Sequence, residues 1–494
     1  DKGGFLGRAW PQFFIETDFD RYQPDTFEWE IQGGRWDTDD GSALFGSSGA
    51  GQAGGFRLLL GGSPGTEPQL DVPIPRGTVL DGKLSWQSQT GTAGTGTLVY
   101  EADDPGGFGD HLRVYRLALA ATGEFTTFHG GEEGALEALK KITAELNTIF
   151  NRDLSIHLEL IPDEDLKKII YTDPGSDPYT PEDLLGQLAQ NQTTLDNEIG
   201  ADNYDVGHVL GRLVADGTGF STFHSVGQPG FKGHGVTAAF EPTIYSSPFI
   251  GLLAHELGHQ FGADHTFNSD GSDFCEQERH ESTAVEPGSG SSLMAYPGFC
   301  GAGDLQEERD HYFHALSIEQ IETFITENLD AAPHEKQHTG NRIPVLVAGK
   351  PKTIPARTPF MLTAMASDPD GEELQYNWEQ MDVGGALNFP TASTDGPLFR
   401  SRPPSASPVR TFPAMEDLLN GTTDPAEVLP ATSRNLNFRA TVRDSRGVNW
   451  GDVALSVVDT GSAFAVTFPN GSESLDAWSN STIEWDVAGT GGSG

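Results

Sequence analysis

The chain has 494 residues, with 61 Gly, 31 Pro, 30 Lys+Arg against 72 Asp+Glu, and a formal net charge of −42. That length implies more than one core, and the Gly and Pro content is turn-rich without being collagen-like or globally disordered. The acidity excludes the basic footprint of a nucleic-acid binder and disfavours an anionic membrane surface, and no run approaches the ~20 apolar residues of a membrane span.

Residues 1–108 read as a β-rich unit, either a retained prosegment or an accessory domain. Short apolar or alternating runs at 27–31, 56–60 and 97–100 are bounded by Gly, Pro and Asp. The chain opens at Asp1 without Met or a leader-like run, which reads as a processed or trimmed form. From 109 to 332 the texture alternates. Residues 112–119 and 155–161 read as strands, and 132–150 spaces Leu136, Leu139, Ile142, Leu146 and Ile149 as one helix face. A second helix is predicted over 181–199 with Thr180 as its N-cap, and strands over 206–210 and 236–240. The segment 246–262 reads as a helix capped by Ser246 or Ser247 with Pro248 in its first turn, and 316–327 as a closing helix. Strand–helix alternation predicts an α/β domain, a sheet layered by helices.

Residues 333–342 read as a polar linker. Residues 343–460 return to an all-β pattern, with candidate strands at 360–364, 374–378, 438–442 and 453–458, and predict a β-sandwich. Residues 461–494 read as the start of a further β-module, truncated. The whole is thus multidomain: an α/β domain flanked by a β-rich N-terminal unit and a C-terminal β-sandwich.

The chemistry concentrates in His255-Glu256-Leu257-Gly258-His259-Gln260-Phe261-Gly262-Ala263-Asp264-His265. On a helix, residues four apart stack on one face, so His255 and His259 point at one metal ion. Glu256 is turned about 100° from His255 and can reach a water on that ion without ligating it. Gly262 lets the chain leave the helix in a conformation that a side chain resists, and His265 can return as the third ligand. Three imidazoles with an open position describe catalytic zinc. Cys275 and Cys300, the only two cysteines, are compatible with one disulfide of an oxidising compartment or with two buried thiols.

The motif, followed by Ser292-Leu293-Met294-Ala295-Tyr296, resembles the metzincin metallopeptidases. The wider context, His265-Thr266-Phe267-Asn268, then Cys275, 286–291 and Phe299-Cys300-Gly301, is most similar to their bacterial reprolysin-like branch. The resemblance implies a twisted sheet plus a zinc helix over roughly 110–330. It implies an apolar floor from Met294 under the imidazoles, and an oxyanion-stabilising Tyr296. A Cys275–Cys300 bridge would hold the lower wall of the cleft. The stretches 367–371 and 397–401 resemble the Ig-like modules that follow such domains.

These residues predict a secreted, extracellular, monomeric zinc endopeptidase acting on proteins or peptides, in which zinc activates a water and Glu256 is the general base. The rivals are an adhesion protein in which the β-modules dominate and a zinc amidase acting on cell-wall peptides. The substrate is expected beside the 236–240 strand, read as a sheet edge. Calcium is a second candidate cofactor: Asp368 and Asp370 sit in an acidic turn and Asp270 and Asp273 near the motif, although a plain Pro-Asp-Gly turn and a solvated loop fit the same residues. His311 and His314 suit a second metal less well than a structural role.

Overall fold

The computed structural model describes residues 107–494 other than 182, 215, 216, 472, 475–479 and 491–494, and before residue 107 only the backbone of strand segments. Those segments form a seven-stranded sheet in which Gln12–Glu16, Ala93–Glu101, Val79–Ser88 and Phe27–Thr38 lie side by side.

The central sheet is built on His111–Ala121, which pairs in parallel with Ile156–Leu160 on one side and Val206–Arg212 on the other. Val206–Arg212 pairs in parallel with Gly235–Ala239, and Thr218–Ser221 closes the order as an antiparallel edge. Parallel neighbours need a crossover, and the helix Glu132–Leu154 supplies the first. Residues 117–121 are buried without a break, because both faces of the strand are covered. The alternation expected there gives way to continuous burial.

Two helix boundaries differ from the pattern reading. Glu132–Leu154 runs past Phe150, because the carboxylate of Asp153 is satisfied inside the protein by Arg152 (2.8 Å), Arg443 (2.9 Å) and the N–H of Phe313 (2.9 Å). The second helix begins at Leu184, not 181, because Asp183 is the cap and accepts from the N–H of Gly186 at 3.0 Å. Thr180 instead offers its carbonyl to Gln187 and its N–H to Gln190.

The helix Ser247–Gln260 carries Pro248 in its first turn, and every residue from Phe249 to Gln260 is buried. It is a central helix rather than an amphipathic surface one. The helix Ala315–Glu327 follows, capped by His314, whose Nδ1 accepts from the N–H of Leu316. That contact and the bond of His311 Nε2 with the Ser247 carbonyl (3.2 Å) occupy both histidines in structural roles.

The segment expected to be a polar linker is partly ordered into the central sheet: Glu335–His338 pairs antiparallel with residues 111–114. Beyond it, strands Arg434–Arg443 and Val448–Val458 pair with each other and with Gln375–Gln380 and Lys352–Pro355. They enclose a separate core that includes Trp378, Phe399, Phe412, Leu436 and Phe438. Gly107–Phe108, assigned to the N-terminal unit by composition, pairs with Val448–Asn449 of this C-terminal domain. The two domains are tightly joined. Arg443 and Asp153 are both fully buried, Glu379 accepts from the N–H of Ala315 at 3.0 Å in the first turn of the helix Ala315–Glu327, and Arg439 pairs with Glu319 at 2.7 Å. Ala465–Phe468 and Glu484–Asp486 form a separate two-stranded pair.

Candidate active site

The site grows from the C-terminal half of the Ser247–Gln260 helix. His255 and His259 lie one turn apart, and the helix stops where Gly262 adopts φ +103°. A Cβ there would stand 2.9 Å from Phe324 and 3.0 Å from His224, so both conformation and space ask for glycine. The chain then doubles back. The N–H of Ala263 bonds to the Gly258 carbonyl, and the Ala263 carbonyl meets His259 Nδ1 at 2.7 Å.

Each ring is oriented by a backbone carbonyl on its far side. His255 Nδ1 lies 2.7 Å from the Leu293 carbonyl and His265 Nδ1 lies 2.6 Å from the Glu278 carbonyl. A carbonyl only accepts, so all three rings carry the proton on Nδ1 and leave Nε2 bare. The three Nε2 atoms then face one another at 3.1, 3.0 and 3.3 Å. Three lone pairs at that range repel unless a cation lies among them. Ligand nitrogens at about 2.0–2.1 Å from a tetrahedral zinc stand about 3.3 Å apart, so this donor set fits the ion. Burial drives the ring pKa values of His255 and His259 well down and that of His265 to about 4, which keeps the rings neutral and available as ligands. Among the described residues these are the only three His, Cys, Asp or Glu side chains whose ligand atoms converge in this way.

Met294 is fully buried beneath the helix, and its sulfur lies where a Cβ on Gly258 would come within 2.6 Å. Its carbonyl accepts from the N–H of Thr266, which ties this turn to the residue after the third histidine. Buried Glu286 strengthens the same tie, accepting from Thr266 Oγ1 at 2.6 Å and from the Ser291 N–H at 2.9 Å. Tyr296 lies with its ring centroid 4.5 Å from His265 and 5.6 Å from His255, stacked on Phe267. Cys275 and Cys300 form a disulfide with Cα atoms 5.4 Å apart. The loop it closes contains the Glu278 carbonyl, the Met294 turn and Tyr296.

Glu256 is 5% exposed and its burial raises the carboxyl pKa to about 7. Ser221 Oγ donates to its Oε2 at 2.8 Å. Ser221 belongs to the edge strand Thr218–Ser221, and this corrects the expectation for 236–240. Gly235–Ala239 is internal, paired on both sides. The true edge was missed because Gly217-Thr218-Gly219-Phe220-Ser221 has weak strand propensity. Its glycines were the available signal, since glycine within a strand marks close approach by another group: a Cβ on Gly219 would stand 2.5 Å from Glu256 Cγ. Sequence reasoning also missed Phe223, whose ring centroid lies 4.2 Å from that of His259, and Arg309, which donates to the Ala295 carbonyl at 2.9 Å and stands over the Tyr296 ring.

The acidic residues considered for calcium do not converge. Asp370 is paired with Arg342 at 2.9 Å, and Asp368 Oδ1 accepts from the N–H groups of Asp370 and Glu372, an ordinary turn. Asp270 is exposed, and Asp273 opens the short helix Asp273–Glu278.

No helix among the described residues is long and apolar enough to cross a membrane. A search of curated proteins finds no match to the chain. Residues 111–327, the segment that holds the three converging imidazoles, match the family model described as metallo-peptidase family M12B, reprolysin-like.

Proposed function

We propose that the protein is a secreted zinc endopeptidase of the metzincin type. The observation that carries this reading is the triangle of bare Nε2 atoms beside a buried carboxylate in an open cleft. His255, His259 and His265 would hold zinc, which when bound supplies a Lewis acid that acidifies water and polarises a carbonyl. Glu256 accepts the proton of the attacking water and delivers it to the leaving amine nitrogen. A carboxyl whose pKa lies near neutrality suits both transfers, and the Ser221 hydroxyl fixes the rotamer that performs them. Tyr296, whose phenol burial keeps protonated, donates to the oxyanion that forms on the scissile carbonyl.

The outer edge of Thr218–Ser221 suits an extended peptide added as a further strand. Exposed Phe220, Phe223, Phe274 and Phe299 surround the cleft and favour apolar flanking residues. A peptide antiparallel to this strand would send the residues after the scissile bond toward Gly217. There a cavity of about 300 Å³ is lined by Leu252, Phe249, Phe299 and Arg309. The buried disulfide supports an extracellular site of action. The test is casein hydrolysis by the wild type, the wild type with chelator, and Glu256→Gln. The expected result is loss on chelation, recovery with zinc, and a fall of about 10²–10⁴-fold in the variant; hydrolysis that survives chelation would overturn the reading.

A further inference from the structure

The third imidazole differs from the other two in what holds it. His255 and His259 sit on a buried helix, but His265 lies beyond it and depends on the carbonyl of Glu278, the last residue of the short helix Asp273–Glu278. A carbonyl can aim a ring only as well as its own segment is fixed, and partners of this kind govern metal affinity. The next residue, Arg279, fixes that segment. Its Nε donates to Asn268 Oδ1 at 2.9 Å, and its Nη2 donates to the carbonyl of Gly384. Asn268 is 1% exposed and lies three residues after His265. Its Nδ2 donates to the Gly385 carbonyl at 3.0 Å, and its own carbonyl accepts from the N–H of Leu387 at 2.9 Å. Gly384, Gly385 and Leu387 lie on a loop that leaves the strand Gln375–Gln380 of the C-terminal β-domain. Two segments that follow the third ligand, at Asn268 and at Arg279, are therefore held from the C-terminal β-domain.

We infer that Arg279 and the 384–387 loop of the C-terminal β-domain position His265 for metal binding, so that this domain completes the metal centre rather than merely following it. The inference rests on the reading of the three histidines as zinc ligands. Arg279 is a positioning residue: it touches neither metal nor substrate and acts through the Glu278 carbonyl and Asn268. Its planar fork bonds two acceptors at once, which a lysine ammonium on a flexible stem does less well.

The test uses the full chain. Zinc dissociation constants are measured by competition with a chromophoric chelator, and the d–d absorption of the cobalt-substituted protein is recorded, for wild type, Arg279→Ala, Arg279→Lys and Arg439→Ala. The last variant breaks the Arg439–Glu319 contact between the same domains, away from the histidines. Expected are a 10–100-fold weaker zinc affinity and an altered cobalt spectrum for Arg279→Ala, an intermediate affinity for Arg279→Lys, and wild-type values for Arg439→Ala. A folded Arg279→Ala protein with zinc affinity within twofold of wild type overturns the inference, as does an equal loss in Arg439→Ala, which would mark general loosening of the domain contact. A wild type that binds no zinc would instead refute the underlying reading of the histidines.

Discussion

Replacing Gly219 by Ala adds one methyl group to the edge strand and nothing to the chemistry. The structure makes its consequence specific. A Cβ on Gly219 would stand 2.5 Å from Glu256 Cγ and 2.7 Å from Oε1, whereas relaxed carbon contacts need about 3.5–4.0 Å. The glutamate side chain must therefore retreat by about 1 Å, and in doing so it strains its 2.8 Å bond with Ser221. A misplacement of about 1 Å costs on the order of 10²-fold in rate. Stability should change little: no left-handed φ is demanded of Gly219, so the about 0.4–1 kcal/mol gained by restricting the unfolded chain offsets part of the cost of displacing the Glu256 side chain. The assay pairs kcat/KM on a fluorogenic peptide with a melting curve and zinc content. A Gly219→Ala protein with full zinc, unimpaired melting and about one hundredth of the activity agrees with the reasoning; activity within threefold of wild type refutes it.

Arg443→Met leaves Asp153 buried with Arg152 as its sole remaining cationic partner and should cost about 3–5 kcal/mol in chemical denaturation; a loss below 1 kcal/mol would show that the domain contact does not depend on the pair. Replacing Cys275 and Cys300 together by Ser should lower stability by roughly 3–4 kcal/mol through the loop the bridge closes, and an unchanged denaturation midpoint would refute this. His208 is fully buried between Gln260 and Thr237, and burial lowers its pKa to about 4. The unfolded chain takes up this proton near pH 6.5 and the folded one does not, so stability is full above about 6.5, falls as pH drops, and has lost this contribution below about 4. Between pH 7 and pH 5 the wild type should lose about 2 kcal/mol more than His208→Gln; parallel pH profiles would contradict the assignment.

The features legible in the sequence are those that short-range physics dictates. The i, i+4 spacing of His255 and His259 and the break at Gly262 are properties of a helix and its end, and the structure brings His265 to them as the spacing requires. The helix stripe of Leu136, Leu139, Ile142 and Leu146 is likewise periodic and buried. What periodicity could not reveal depends on distant partners. Arg443 and Asp153 are 290 residues apart, and nothing local marks either as buried. The edge strand is four residues long and starts Thr218-Gly219, so propensity argued against it; its existence follows from pairing with Gly235–Ala239 and from the room that Glu256 needs. Residues 335–338 are charged or polar and exposed, which is the pattern of a linker, yet they find unpaired backbone beside 111–114.

The central claim is that three imidazoles and one zinc ion form the reactive centre. Anomalous scattering at the zinc edge, from crystals of the full chain supplied with zinc, tests it most directly. The account predicts a single strong peak about 2.0–2.1 Å from the Nε2 atoms of His255, His259 and His265. A peak bound by other residues, or none at these rings, would contradict it.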